Sequence, residues 1–374
     1  MSSNIGEIRQ RIDAIDEQIQ TLIDSRARLA CEVGANKQAS AAVDFYRPER
    51  EAEVLRNVLA RNHGPLKDEE MLRLFREIMS ACLAQQEPLK IAFLGPEGTY
   101  THAAVTRHFG HSVRALPLAD VEDVFHEVEA GSADFGVVPI ENSTEGTVHH
   151  TLDMFMTSPL KICGEVELAI RHHLMGRMRS LQDVRRVCAH GQALAQCRAT
   201  LDAILPGIEK VTVASNAEGA RRARDELGTA AIASEVAAQI YGLESLVAEI
   251  EDRPDNTTRF HIVGRTLLAP SGRDKTTIMM SIADTESPGA LHQLLEPLAR
   301  YGVSMTRIES RPSRQRKWHY VFFADLDGHA VDPRLATALR ELERTASLFK
   351  VLGAYPCSVQ TIASADSPIE YPSA

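Results

Sequence analysis

The sequence predicts a multidomain chain of three unlike parts: an all-α unit of three helices, a two-lobed α/β unit, and an α+β unit of ferredoxin-like order. Three observations predict it. Apolar residues recur every three or four positions up to about residue 87, which is the helical period. From about Lys90 to Leu267, short β-like runs alternate with helical stretches, the pattern of an α/β sheet with ligands near its strand ends. Beyond a Pro- and Gly-containing link the order becomes β-α-β-β-α-β. A length of 374 residues suits two or three domains. The expected boundaries are 1–88, 89–268 and 275–356, with 357–374 as a tail.

In the first part, Ile5, Ile8, Ile12, Ile15, Ile19, Leu22, Leu29 and Val33 form the seam of one long amphipathic helix. Pro48 suits the first turn of a second helix, which carries Val54, Leu55, Val58 and Leu59 and ends at Gly64-Pro65. Asp68 is placed to cap a third, carrying Met71, Leu72, Phe75, Ile78, Met79, Cys82 and Leu83. A first helix this long cannot bury its seam on two short ones, so a partner chain is expected to complete the core. In the second part, Ile91 to Leu94, Gly136 to Val138 and Ala230 to Ile232 read as strands, and Val121 to Val128 and Ala217 to Leu227 as helices. Ala269 to Asp274 is the link. The last part reads as strand Thr277–Ile282, helix Ala290–Tyr301, strands Met305–Glu309 and Tyr320–Leu326, helix Pro333–Thr345 and strand Phe349–Ala354. From Ser364 on, a Ser- and Pro-containing tail is expected to lack fixed structure.

The net charge is −10, and a negative field repels phosphate backbones, so a nucleic-acid partner is not expected. Any anionic ligand must therefore meet local clusters of Arg and Lys. The six Cys are scattered with no metal-ligand spacing, which suits reduced thiols in a cytoplasmic protein. No signal-peptide pattern opens the chain, and no apolar run reaches the roughly 18 residues of a membrane span. His149-His150 and His172-His173 lack a carboxylate placed to complete a metal site. Neither metal nor cofactor is expected.

One charge breaks the pattern. Arg26 falls on the apolar seam of the first helix, and a buried guanidinium demands an anion. Lys37, eleven residues on, returns to within ~20° of Arg26 about 16 Å along the axis. The two could clamp a small dianion. Arg9 lies about 25 Å from Arg26 and ~100° around the helix. If Arg9 serves a site, it serves that of a partner copy.

Arg9, Arg26, Lys37, Arg50-Glu51 and Gln86, spaced over three helices, resemble the all-helical class of chorismate mutase. The resemblance implies that Arg9, Arg26 and Arg50 handle substrate carboxylates, that Lys37 and Gln86 bind the ether oxygen, and that Glu51 takes the ring hydroxyl. Chorismate to prephenate is a pericyclic rearrangement that needs no nucleophile. Holding the compact conformer and stabilising charge on the ether oxygen suffice. This chain departs at Arg47-Pro48, where the family often has an acid, and at Cys82, where some members have Ser.

In the second part, Gly95-Pro96-Glu97-Gly98-Thr99-Tyr100-Thr101, Glu141-Asn142-Ser143-Thr144-Glu145-Gly146, His190-Gly191-Gln192-Ala193-Leu194-Ala195-Gln196-Cys197 and Thr258-Arg259-Phe260 resemble, in order, the motifs of prephenate dehydratase. The first could bind a carboxylate at a helix start. The resemblance implies loss of the ring hydroxyl and CO2 together, with Thr258 as the main catalytic candidate. Thr99, Glu141, Asn142, Ser143, Gln192, Gln196, Arg259 and Phe260 are the expected contacts, with Arg259 or helix N-termini holding the side-chain carboxylate and Phe260 supplying a desolvated wall. Ala189 and Gly191 stand where the family usually has Ser and Pro.

In the third part, Gly289-Ala290-Leu291 and Glu309-Ser310-Arg311-Pro312 resemble the ACT regulatory domain. Gly289, Ala290, Leu291, Glu309 and Ser310 would then meet L-phenylalanine at a domain interface, and inhibition would follow a shift between quaternary states. His292 stands where some members have an apolar residue, and Trp318, Tyr320, Phe322 and Phe323 cluster nearby. The expected partners are chorismate, prephenate, L-phenylalanine and a second copy of the chain, as homodimer or larger. Two rival readings remain: a two-lobed solute-binding protein, which leaves Arg26 and Lys37 unexplained, and a fused enzyme in which one activity has decayed. A fused dehydrogenase is disfavoured because no dinucleotide fingerprint is present.

Overall fold

A computed structural model describes residues 5–39, 46–282, 288–313 and 320–358. The side chains of residues 37–39 lie outside it, as do Ser287, Trp318 and the tail beyond Ser358.

The helical part consists of α1 (Ile5–Ala39), α2 (Pro48–Ala60) and α3 (Asp68–Ala84). Pro48 opens α2 as expected. Asp68 does not cap α3. Lys67 holds the cap position, and Asp68 is the first of three acids in the opening turn, where the helix dipole favours them. α2 and α3 bury Leu55 and Leu72 against Leu59, Phe75 and Met79. α1 packs against α3, but its apolar seam has no such cover. Ile5 is 68% exposed, Leu22 69% and Leu29 60%, and the rest of the seam is likewise open.

The α/β part forms two lobes. Lobe 1 holds β1 (Lys90–Leu94), α4 (Tyr100–Phe109), β2 (Arg114–Leu118), α5 (Val121–Glu129), β3 (Phe135–Asn142), β4 (Gly146–Thr147), α6 (His149–Thr157) and β5 (Lys161–Ala169). The chain then crosses into lobe 2: β6 (His173–Gly176), β7 (Arg186–His190), α7 (Gly191–Gln196), α8 (Arg198–Ile204), β8 (Glu209–Val213), α9 (Asn216–Asp225), β9 (Thr229–Ala233), α10 (Glu235–Tyr241) and β10 (Glu244–Val247). It returns through β11 (Thr257–Gly264). The lobe 1 sheet runs β2-β1-β3-β11-β5, and the lobe 2 sheet β10-β6-β9-β7-β8. β11 lies antiparallel between β3 and β5, opposing Thr258 to Asn142.

The last part holds β12 (Asp274–Ser281), α11 (Ala290–Arg300), β13 (Met305–Pro312), β14 (Tyr320–Asp327), α12 (Pro333–Thr345) and β15 (Leu348–Pro356). Its sheet runs β13-β14-β12-β15, the ferredoxin-like order. Strand alternation gives it two apolar faces. Ile278, Met280, Phe322 and Ala324 pack under α11 and α12. Met279, Phe323, Leu352 and Tyr355 join the core of lobe 1. The aromatic run is therefore divided between two cores, and Tyr320 is 39% exposed. Gly353 permits the close approach of β15 to β5, since a Cβ there would lie 2.8 Å from that of Ile162.

Candidate active sites and effector face

A cavity of ≈ 350 Å³ lies among the three helices, lined by Arg26, Arg50, Glu51 and Gln86. Arg26 reaches it from the α1 seam. Arg50 stands at the rim with its guanidinium on Glu53, 2.6 Å away and well exposed. Gln86 Nε2 donates to Ala30 O at 2.6 Å, which leaves its second amide hydrogen for a ligand, and its Oε1 is buried with no hydrogen-bond partner among the described residues. Gly34 makes this fit possible, because a Cβ there would meet the Gln86 side chain at 2.8 Å. Phe109, Ser112 and Val113 of lobe 1 close the cavity. Arg9 is exposed on α1 and does not line it.

Two lining residues escaped the sequence reasoning. Arg76 projects from α3 with its Nε 3.9 Å from Glu51, that atom buried and without a hydrogen bond among the described residues. The test that singled out Arg26 applies here too, since position 76 lies on the apolar stripe with Leu72 and Met79. Tyr46 stands 3.4 Å from His108 Nε2. Burial pushes the Glu51 carboxyl up, against the opposing pull of Arg76 and a Tyr46 hydrogen bond. Burial, helped by Arg76, takes His108 down to about 3. The ring is neutral, and Arg76 is the cation that opposes the rise at Glu51.

In the α/β cleft, Asn142 Nδ2 donates to Thr258 Oγ1 and to Asn256 Oδ1, each at 2.8 Å. Asn142 Oδ1 accepts from the backbone N–H groups of Thr144 and Glu145 at 3.0 and 3.1 Å. Ser143 Oγ accepts from Thr257 N at 2.9 Å, tying the loop to β11. From lobe 2, Gln196 Oε1 accepts from Asn256 Nδ2 at 3.2 Å and lies 2.8 Å from His172 Nε2. Gln192 hydrogen-bonds Glu145, and Gln196 Nε2 lies 3.5 Å from the same carboxylate. Thr258, Asn142, Ser143, Gln192 and Gln196 thus gather at one place. Glu145, Asn256 and His172 join them; Glu145 lies inside a recognised motif and Asn256 beside one, whereas His172 stands out only as half of a His pair.

Four expected contacts fall elsewhere. Thr99 caps α4, its hydroxyl 3.3 Å from both His102 N and Leu94 O. Glu141 pairs with Arg307 of β13 at 2.8 Å. Arg259 was expected to hold a substrate carboxylate, but alternation turns it away from Thr258. Its guanidinium lies 2.8 Å from Glu165 and 2.7 Å from Asp325, and Lys275 shares Glu165 at 2.6 Å. Two carboxylates already meet its charge. Phe260 is 1% exposed and packs with Ile91, Phe93 and Phe109; it is core, not cleft wall.

The effector positions also divide. Gly289 caps α11 at φ 79°, in the left-handed region that favours glycine, followed by Ala290 and the half-exposed Leu291. Ser310 lies opposite Phe322 on the helix-covered face of the sheet, whereas Glu309 lies opposite Phe323 on the face toward lobe 1. Glu309 stands 3.8 Å from Arg307. Period-two alternation separates residues that adjoin in sequence.

The fold and its two sites define a fused enzyme with a regulatory module. Residues 8–87 match the family model described as chorismate mutase type II, 91–267 that of prephenate dehydratase, and 276–344 that of the ACT domain. A bifunctional chorismate mutase/prephenate dehydratase of Stutzerimonas stutzeri is 52% identical, over 96% of this chain and 99% of that one. The chain belongs to the family of bifunctional chorismate mutase/prephenate dehydratases. Among solved structures, a prephenate dehydratase of Arthrobacter aurescens in complex with L-Phe is 37% identical with a TM-score of 0.66, over 74% of this chain and 97% of that one. A protein described as a quorum-quenching acylase, GqqA, is 33% identical with a TM-score of 0.67, over 73% and 99%.

Proposed function

We propose that this chain converts chorismate to prephenate in the helical cavity and prephenate to phenylpyruvate in the α/β cleft, under inhibition by L-phenylalanine at the last domain. The gathering of Arg26, Glu51 and Gln86 around one cavity carries the reading, because they offer a cation for a carboxylate, an acceptor for a hydroxyl and a donor for an ether oxygen, and a pericyclic reaction needs no nucleophile. Arg26 and Arg50 meet carboxylates, Glu51 accepts the ring hydroxyl, and Lys37 and Gln86 donate to the ether oxygen as its C–O bond breaks. A second copy of the chain covers the open α1 seam, and Arg9 of the partner subunit completes each site. That seam of large apolar residues, too exposed for a lone chain, supports a dimer.

In the cleft, the ring C–O bond breaks with its electron pair on oxygen. The C–C bond to the ring carboxylate breaks, its pair enters the ring, and CO2 leaves. The departing hydroxide takes up one proton from the medium and leaves as water, so each turnover consumes one proton. Thr258 donates a hydrogen bond to the oxygen that gains charge. Asn142, Ser143, Gln192 and Gln196 frame the substrate. L-phenylalanine binds near Gly289, Ala290, Leu291 and Ser310, and Glu309 works instead through Arg307. Six free cysteines suit a cytoplasmic setting. Among the described residues no helix is long and apolar enough to cross a membrane.

The test is ultraviolet detection of phenylpyruvate after chorismate alone is added, with and without L-phenylalanine. Formation that L-phenylalanine suppresses is expected. Prephenate accumulating without phenylpyruvate would leave a mutase alone, and no turnover of either substrate would end the reading.

A further inference from the structure

The hydrogen bonds around Thr258 have a direction, and the backbone fixes it. The N–H groups of Thr144 and Glu145 can only donate, so the atom of Asn142 they meet is the oxygen. The nitrogen of that amide therefore faces Thr258 and Asn256, and Asn256 must meet it with Oδ1. Asn256 then turns Nδ2 to Gln196, which must answer with Oε1. His172 Nε2, 2.8 Å from that oxygen, must carry a proton. On its other side, His172 Nδ1 lies 2.9 Å from the Tyr100 hydroxyl, which also lies 2.6 Å from Arg171 O. At the near end, Thr258 Oγ1 is used as an acceptor, and its own hydrogen finds no protein acceptor among the described residues.

The order of elements matters as well. Thr258 and Asn142 belong to lobe 1, and Gln196 to lobe 2. Asn256 and His172 lie on the two chain crossings between the lobes, 4% and 2% exposed. Polar groups buried so deeply are retained only when paired. Burial keeps the His172 ring neutral, pushing its pKa down.

We propose that Asn256 and His172 are positioning residues of the dehydratase: through Asn142 and Gln196 they hold the Thr258 hydroxyl as an acceptor toward the protein, so that its hydrogen is delivered to the leaving oxygen of the substrate. This rests on the dehydratase reading of the cleft. Neither residue touches the reacting atoms. Each acts on the roll of a neighbouring amide, and a small misplacement there is costly.

The test uses the full chain, with prephenate turnover measured over a range of substrate concentrations and chorismate turnover as the control for folding. Asn256→Ala is expected to lower dehydratase kcat about 10- to 100-fold, with KM within about threefold and mutase activity unchanged. His172→Gln offers a side-chain N–H near the place of Nε2 and should retain most of kcat. His172→Phe keeps the ring that packs edge-on against Tyr100 but loses the donor, and should fall about tenfold. A phenylalanine variant as active as the glutamine variant, or more so, would show a packing role and overturn the proposal, as would an Asn256→Ala change confined to KM. A wild-type chain that does not turn over prephenate would overturn both this inference and the dehydratase reading beneath it; wild-type turnover with unaltered variants would overturn the inference alone.

Discussion

In the helical cavity, Arg76 Nε and Gln86 Oε1 are buried with no hydrogen-bond partner among the described residues. In the α/β cleft, Asn142, Asn256, Gln196 and His172 are joined one to the next at 2.8 to 3.2 Å. The difference follows the chemistry. A rearrangement of a dianion is helped by a field and a shape, and the groups that make the field need only lie around the anion. A dehydration is helped by a hydrogen aimed at one oxygen, and aim requires that every neighbouring dipole be held. Completeness differs too. The cleft is built within one chain, whereas the cavity has an α1 seam still open to solvent.

The comparison breaks if one substitution harms both reactions. Thr258→Ala is expected to reduce prephenate turnover by about two to three orders of magnitude and to spare chorismate turnover, both read by absorbance on the same sample. Arg26→Ala should do the converse, with a loss of about a hundredfold. Arg259→Met should act on stability first. Removing one partner of a buried ion pair costs ~3–5 kcal/mol, and denaturant unfolding should show it, with Asp325→Leu added to relieve part of the loss. A loss of dehydratase kcat with stability intact would instead return Arg259 to the cleft.

The smallest expected effect sharpens the comparison by pH. With Glu51 proposed to take the ring hydroxyl as a carboxylate, mutase activity is expected to fall as pH drops through its raised pKa. Burial raises that value and Arg76 opposes the rise. Arg76→Gln removes the opposition, so the acid limb of the kcat/KM profile should move to higher pH, with loss of a few-fold at neutrality. A limb that stays in place would show that Arg76 does not govern Glu51.

Much of this was legible in the chain because period and motif are local properties. The stepping from Ile5 to Val33 gave α1, and the motif around Asn142 lies on the loop that carries it. Arg26 was found because a cation on an apolar stripe is an anomaly in one dimension. Arg76 obeys the same rule and was missed among three closely packed acids and arginines on α3.

What the sequence by itself determined is the order of elements and the chemical kind of each site, since helical and strand periods and short motifs are written within a few residues of one another. Only the tertiary structure decided which neighbours share a face. Arg259 and Phe260 follow Thr258 directly, yet one meets Asp325 and the other enters the core; Glu309 and Ser310 part in the same way. A strand turns successive side chains to opposite sides, and what waits on each side is brought there by residues far along the chain.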